Sequence, residues 1–264
     1  MNRTVRRPSG LPSWPIALIG GREKSGKSYQ CALASASDLI GDTFWVSIGE
    51  KDPDEYGAVP GARFQIAPHD GTVADIEATI AWLRKAPQTG GKKNLLIIDS
   101  ATPLWDQLSR EASNAAEKRG SRDRNGELIV GTDLWNKANF QWKRLLSEIK
   151  AWDGPVIITA RLETTTVMSA AGRPTPEKTE KVKSQKALPY DVDLIVEMPA
   201  RGHAELVGAR SVIYQLEERK TLPADWTMDW LWRRLGLAKA TTAPATHSDT
   251  VDAADESTPA AVGS

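Results

Sequence analysis

Cysteine is nearly absent from this sequence of 264 residues, with Cys31 the sole instance. That excludes a disulfide framework or a cysteine-based metal site within one chain, and it suits a reducing compartment. Long apolar runs are absent as well. Nothing approaches the ~20 residues of a transmembrane helix. The apolar stretch within residues 1–20 is short and interrupted by Pro12 and Pro15, unlike a secretory signal. A cytoplasmic location with no membrane partner is expected. The histidines His69, His203 and His247 are scattered and suggest no metal centre. Net charge is absent too: 34 basic residues balance 34 acidic ones, so no global field points to nucleic acid. No internal repeat is evident.

What is present is uneven. The start is basic (Arg3, Arg6, Arg7), and after Lys239 the charges are all acidic (Asp249, Asp252, Asp255, Glu256). Residues 1–13 are predicted to be a disordered basic N-terminus, and 239–264 a disordered acidic tail that aids solubility. Residues 14–238 form the expected folded domain. Within it, apolar strand-like runs alternate with helical periodicity. Strands are expected at Pro15–Ile19, Thr43–Ile48, Arg63–Ala67, Asn94–Ile98, Pro155–Thr159, Asp193–Met198, Ala204–Val207 and Ser211–Leu216. Helices are expected over 27–40, 72–86, 103–118, 134–152 and from about 221 to 235, with long loops at 119–132 and 163–187. The pattern predicts an α/β fold with a mostly parallel twisted sheet and helices on both faces.

Between the first strand and first helix lies Gly21-Arg22-Glu23-Lys24-Ser25-Gly26-Lys27-Ser28, a full match to G-x-x-x-x-G-K-[ST], the Walker A phosphate loop. Glycines let backbone N–H groups turn inward onto phosphate oxygens. Lys27 supplies a point charge, Ser28 a hydroxyl for Mg²⁺, and the helix N-terminus its dipole. Asp99 ends the apolar strand Leu95–Ile98, where a carboxylate can hold the Mg²⁺ shell beside the loop. Glu50 stands just past the strand Trp45–Ile48, a position from which it can orient the attacking water and take its proton.

Together these segments resemble the core of the RecA-like P-loop ATPase family. Ser47–Tyr56 resembles the segment carrying the family's catalytic Glu, then Asp-Pro and Tyr. Phe64–Gly71 resembles its next strand and turn, and Ile97–Leu104 its strand ending in Asp-Ser. In compactness the chain is most similar to phage RecA-like ATPases, the single-strand-annealing group included. The resemblance implies ATP as ligand with Mg²⁺, Glu50 as catalytic Glu, and Tyr56 as a residue that stacks on adenine. It implies that Arg219 and Lys220 reach a neighbour's ATP in a homo-oligomer. Where RecA proteins carry a glutamine, Ala160-Arg161 follow the strand here, and Arg161 is a candidate sensor of the γ-phosphate.

The resemblance also places loops 119–132 and 163–187 near the family's DNA-binding loops. The second holds Arg173, Lys178, Lys181, Lys183 and Lys186 against Glu163, Glu177 and Glu180, and neither loop has aromatics to stack on bases. The reading that follows is an ATP-hydrolysing protein acting on single-stranded DNA in phage recombination or replication, in the host cytoplasm, with replication or recombination proteins as further partners. The alternatives are a P-loop kinase for a small acceptor, or a nucleotide-binding interaction protein without DNA activity.

Overall fold

The computed structural model describes residues 7–169 and 172–240. Of the two expected disordered ends, residues 1–6 and 241–264 lie outside the described residues. The elements run β1 (Ile16–Gly21), α1 (Lys27–Ser35), β2 (Thr43–Ser47), β3 (Gln65–Ile66), α2 (Val73–Leu83), β4 (Leu95–Asp99), α3 (Ala101–Lys118) and α4 (Thr132–Lys150). They continue with β5 (Val156–Met168), β6 (Pro174–Lys183), α5 (Leu188–Asp191), β7 (Leu194–Ala200), β8 (His203–Ala209), β9 (Lys220–Thr221) and α6 (Met228–Arg234).

Among the described residues the strands form one sheet in the order β3-β2-β4-β5-β1-β7-β8-β9, with β6 paired to β5 outside that path. From β3 to β7 every pairing is parallel; β8, β9 and β6 join antiparallel. The inner strands of the parallel part are apolar because both sheet faces are covered there, whereas the short edge strand β3 is exposed. In β4, Leu96 and Ile98 enter the core beneath α2, α3 and α4, whereas Leu95 and Ile97 enter the core beneath α1 and α6. Side-chain alternation along a strand makes the two cores from one apolar run. Strand β5 lies between β1 and β4, so the chain from β1 crosses over β5 and β4 to reach β2. Open parallel sheets bind ligands at the carboxyl ends of strands where the winding reverses.

Local signals set several boundaries. Thr72 caps α2, its hydroxyl accepting the Asp75 N–H at 3.2 Å, and Thr227 caps α6 by accepting from Trp230 at 3.1 Å. Helix α1 is shorter than expected, ending at Ser35, whose hydroxyl donates back to the Ala32 carbonyl and accepts the Arg63 N–H. The final helix begins at Met228, after a stretch in which Leu222 and Trp226 are already buried. Residues 211–216 are not a strand.

The largest correction concerns 163–187. Instead of a loop, β5 continues from the sheet into a hairpin with β6, pairing Arg161 with Lys183 and Thr166 with Lys178. The run Thr164-Thr165-Thr166-Val167 is β-branched, which favours the pleat. The polar residues that suggested a loop are exposed and half-exposed positions of this ribbon, which meets the core at its root through Val182.

Candidate nucleotide site

The phosphate loop connects β1 to α1. At its start, a Cβ on Gly21 would lie 2.5 Å from Ser25 Oγ and 3.0 Å from the Met198 carbonyl oxygen, so any side chain there would collapse the curl. At its end Gly26 has φ 102°, a left-handed conformation that glycine adopts without strain. Lys24 is also left-handed, with φ 57°. The first intrahelical bond runs from Gln30 N–H to the Gly26 carbonyl at 3.0 Å, which leaves the first-turn N–H groups facing the loop. Ser25 is buried and its hydroxyl has no hydrogen-bond partner. Lys27 folds back over the loop, its Nζ donating to the carbonyls of Gly21 (3.1 Å) and Arg22 (2.9 Å).

Asp99 ends β4 beside α1. Its Oδ2 accepts from Ser28 Oγ at 2.8 Å, and its Oδ1 accepts from Thr159 Oγ1 on β5. Burial pushes its carboxyl above the usual carboxylate range, although the Thr159 and Ser28 hydrogen bonds and Lys27 oppose the shift. Burial likewise lowers the Lys27 ammonium, against the opposing pull of Asp99 and Glu50. The two opposite charges lie close enough to act on one another, an arrangement that favours an anionic ligand beside Lys27 and a cation beside Asp99.

Glu50 lies past β2 and is held from two sides. Its Oε1 accepts from Ser100 Oγ at 3.2 Å, and from Arg161 through Nη2 (2.7 Å) and Nε (3.2 Å). The carboxyl ends of β2 and β4 are joined by Ile48 N–H to the Asp99 carbonyl (2.6 Å) and Ser100 N–H to the Ile48 carbonyl (3.3 Å). Nearby, His69 Nε2 donates to the Ser47 carbonyl at 2.7 Å, which fixes the turn after β3 to the same edge.

Four sequence-predicted residues, Lys27, Ser28, Asp99 and Glu50, are therefore gathered at one sheet edge, together with the phosphate-loop backbone. Others are placed elsewhere. The Tyr56 ring lies nearly parallel to Trp45, at 6.0 Å and 8°, packed against the core beneath α1. Arg219 Nη1 donates to Glu197 (2.8 Å) and Glu205 (3.2 Å) of its own chain, and Lys220 Nζ sits over the Tyr214 ring. Arg22 and Glu23 are exposed, and Arg22 pairs with Glu180 on β6.

Sequence reasoning missed Thr159, Ser100 and Met198. Thr159 follows Ile158, which pairs in register with Ile98, and that alone brings it level with Asp99. Ser100 adjoins Asp99 and was legible as part of the Asp-Ser pair. Met198 supplies a backbone carbonyl to the Arg22 N–H at 3.2 Å, and its residue type carries no signal of that role.

The donor set fits Mg²⁺ and a polyphosphate. Ser28 and Asp99 present hard oxygen donors, the class this ion takes, and few protein ligands are the rule because it keeps several waters. The glycine cradle, the open first-turn N–H groups and the unpartnered Ser25 hydroxyl match phosphate oxygens. Among the described residues no cluster of three or more His, Cys, Asp and Glu could hold a metal by itself, and no helix is long and apolar enough to cross a membrane.

Residues 15–224 match the model of a family described as an AAA domain. No curated protein matches the sequence. Among solved structures the chain is similar to the RadB recombinase, at 16% identity over 80% of this chain and 88% of that one, with a TM-score of 0.45. It is similar to a DnaB-like replicative helicase at 14% identity over 79% of this chain and 54% of that one, with a TM-score of 0.43. A type III secretion system ATPase of pathogenic bacteria gives 18% identity, 69% and 50% coverage, and a TM-score of 0.41.

Proposed function

The chain belongs to the AAA domain family, and from that premise we propose that it is a P-loop ATPase with a RecA-like core that couples ATP hydrolysis to binding of single-stranded DNA, in phage recombination or replication. The observation that carries the reading is one of placement. The edge that gathers Lys27, Ser28, Asp99 and Glu50 is also the root of the β5–β6 hairpin, and both strands of that hairpin are ion-paired to it. Arg161 on β5 binds Glu50, and Glu180 on β6 binds Arg22 of the phosphate loop.

In this reading the loop N–H groups and Lys27 hold the β- and γ-phosphates. To do so, Lys27 gives up the Gly21 and Arg22 carbonyls. Ser28 and Asp99 would hold Mg²⁺, which would supply charge neutralisation at the phosphates. Thr159 keeps the Asp99 carboxylate turned toward Ser28. Glu50 orients a water molecule and accepts its proton, aided by Ser100, which fixes the carboxylate. Arg161 has one guanidinium and two claimants, Glu50 and a γ-phosphate. A phosphate that draws it away frees Glu50 and shifts the base of the hairpin.

The hairpin carries the DNA-binding surface. Lys178 and Lys181 lie on β6, both exposed, and neutralise phosphates without reading bases. Homo-oligomerisation belongs to the same proposal. Arg219 and Lys220 would act on the ATP of a neighbouring copy, after Arg219 releases Glu197 and Glu205.

The test is anisotropy of a labelled single-stranded oligonucleotide at low salt, with and without ATP, beside the Lys178→Ala/Lys181→Ala variant. Binding that responds to ATP is expected. The variant's salt slope should be shallower by about 1.4, because each lysine neutralises one phosphate and each phosphate of a single strand contributes about 0.7. Absence of binding by the wild-type protein would remove the DNA half of the proposal and leave the ATPase.

A further inference from the structure

Tyr29 follows Ser28 in the first turn of α1. It is 45% exposed, although the next three residues of the helix, Gln30, Cys31 and Ala32, are all buried. Among the described residues its ring has no aromatic partner and its hydroxyl no hydrogen bond. An unpartnered tyrosine is thus exposed at the head of a helix whose mouth is the phosphate loop.

Its position around the helix is specific. Successive helical residues turn by about 100°, so Lys27 and Tyr29 stand about 200° apart, on opposite sides of the helix mouth. The Lys27 side is the side of Asp99 and Glu50, the carboxylates that act on its ammonium. Ser28, between the two, faces Asp99. A nucleotide whose outer phosphates meet Lys27, Ser28 and Asp99 therefore presents its other end, the nucleoside, toward Tyr29. Helical side chains lean toward the N-terminus of their helix, which brings the Tyr29 ring over the loop end of α1. Tyr56, the aromatic that the sequence resemblance offered for this task, already lies flat on Trp45.

We propose that Tyr29 is the nucleobase-stacking residue of the site. The inference deepens the ATPase reading and rests on it. Stacking on a tyrosine face is tolerant of base identity, so Tyr29 contributes affinity for ATP and GTP alike and selects nucleotides over bare polyphosphate.

The test is calorimetric binding of ATP and of inorganic tripolyphosphate, each with Mg²⁺, to the full chain and to Tyr29→Ala, Tyr29→Phe and Lys27→Ala. Tyr29→Ala is expected to weaken ATP about ten-fold while tripolyphosphate changes by less than about two-fold, and Tyr29→Phe is expected to restore ATP affinity to within about three-fold. Lys27→Ala is expected to weaken both ligands. The inference is overturned if Tyr29→Ala binds ATP as the wild type does, or if it loses ATP and tripolyphosphate equally. A wild-type protein that binds neither ligand overturns the ATPase reading and this inference together, a result distinguishable from failure of Tyr29 alone.

Discussion

Asp99 is a carboxylate held where its charge is disfavoured. Burial raises its affinity for a proton in the folded state above that in the unfolded chain. Its contribution to stability is therefore present at low pH and is lost as pH rises through the raised value. Asp99→Asn removes the buried charge while leaving a side chain that can still meet Ser28 and Thr159. Without nucleotide or Mg²⁺, that variant should melt a few degrees above wild type at pH 8, with the gap closing toward about pH 4, and should lose ATP hydrolysis. A lower melting temperature at pH 8 would contradict the account. Glycine supplies a second test. Gly49 has φ 62°, and a Cβ there would sit 2.5 Å from Pro103 Cβ at the start of α3. Gly49→Ala should cost about 2 kcal/mol or more in a denaturant melt, and it should slow hydrolysis by displacing Glu50. Lys27, Ser28, Asp99 and Glu50 were legible because each sits at a fixed place in a strand–loop–helix pattern. Thr159 was not, because its partner is sixty residues away in sequence and is reached only through strand register.

At the scale of elements, the β5–β6 hairpin is the part the sequence least disclosed. Its inner end is a core strand, Val156–Ala160, and its outer part alternates charge and threonine. An apolar-run criterion finds the first and stops. The hairpin touches β1 at Gly20, just before the phosphate loop, where a Cβ would meet Leu162 Cδ2 at 3.1 Å and Val182 Cγ2 at 3.3 Å. Replacing residues 163–181 with a short turn leaves that root intact and removes Lys178, Lys181 and Glu180, the partner of Arg22. The shortened protein should fold and bind ATP, whereas its binding of single-stranded DNA should fall at least ten-fold at low salt, since the cations proposed to neutralise DNA phosphates go with the hairpin. Equal DNA binding by the shortened and full-length proteins would place the DNA-binding surface elsewhere. The parallel strands, by contrast, were legible from runs such as Leu95–Ile98, because burial on both faces leaves no room for polar residues.

For the molecule as a whole, the order of strands was not readable from the chain, since β5 enters between β1 and β4 after both have formed their positions in sequence. That insertion creates the site: Thr159 and Arg161 come from β5, Asp99 from β4, and the phosphate loop from β1. A ligand that bridges these strands should stabilise the fold. Saturation with Mg²⁺–ATP at about 100 times its dissociation constant should add about 2.7 kcal/mol, a rise of several degrees in melting temperature, and Lys27→Ala should abolish that rise. The central claim, that this edge hydrolyses ATP with Glu50 as base, is tested most directly by steady-state hydrolysis of ATP alone by wild type and Glu50→Gln, with ATP affinity measured in parallel. Turnover without any acceptor is expected, with a fall of about 10²-fold or more in the variant and unchanged affinity. Equal rates in the two proteins would contradict the claim.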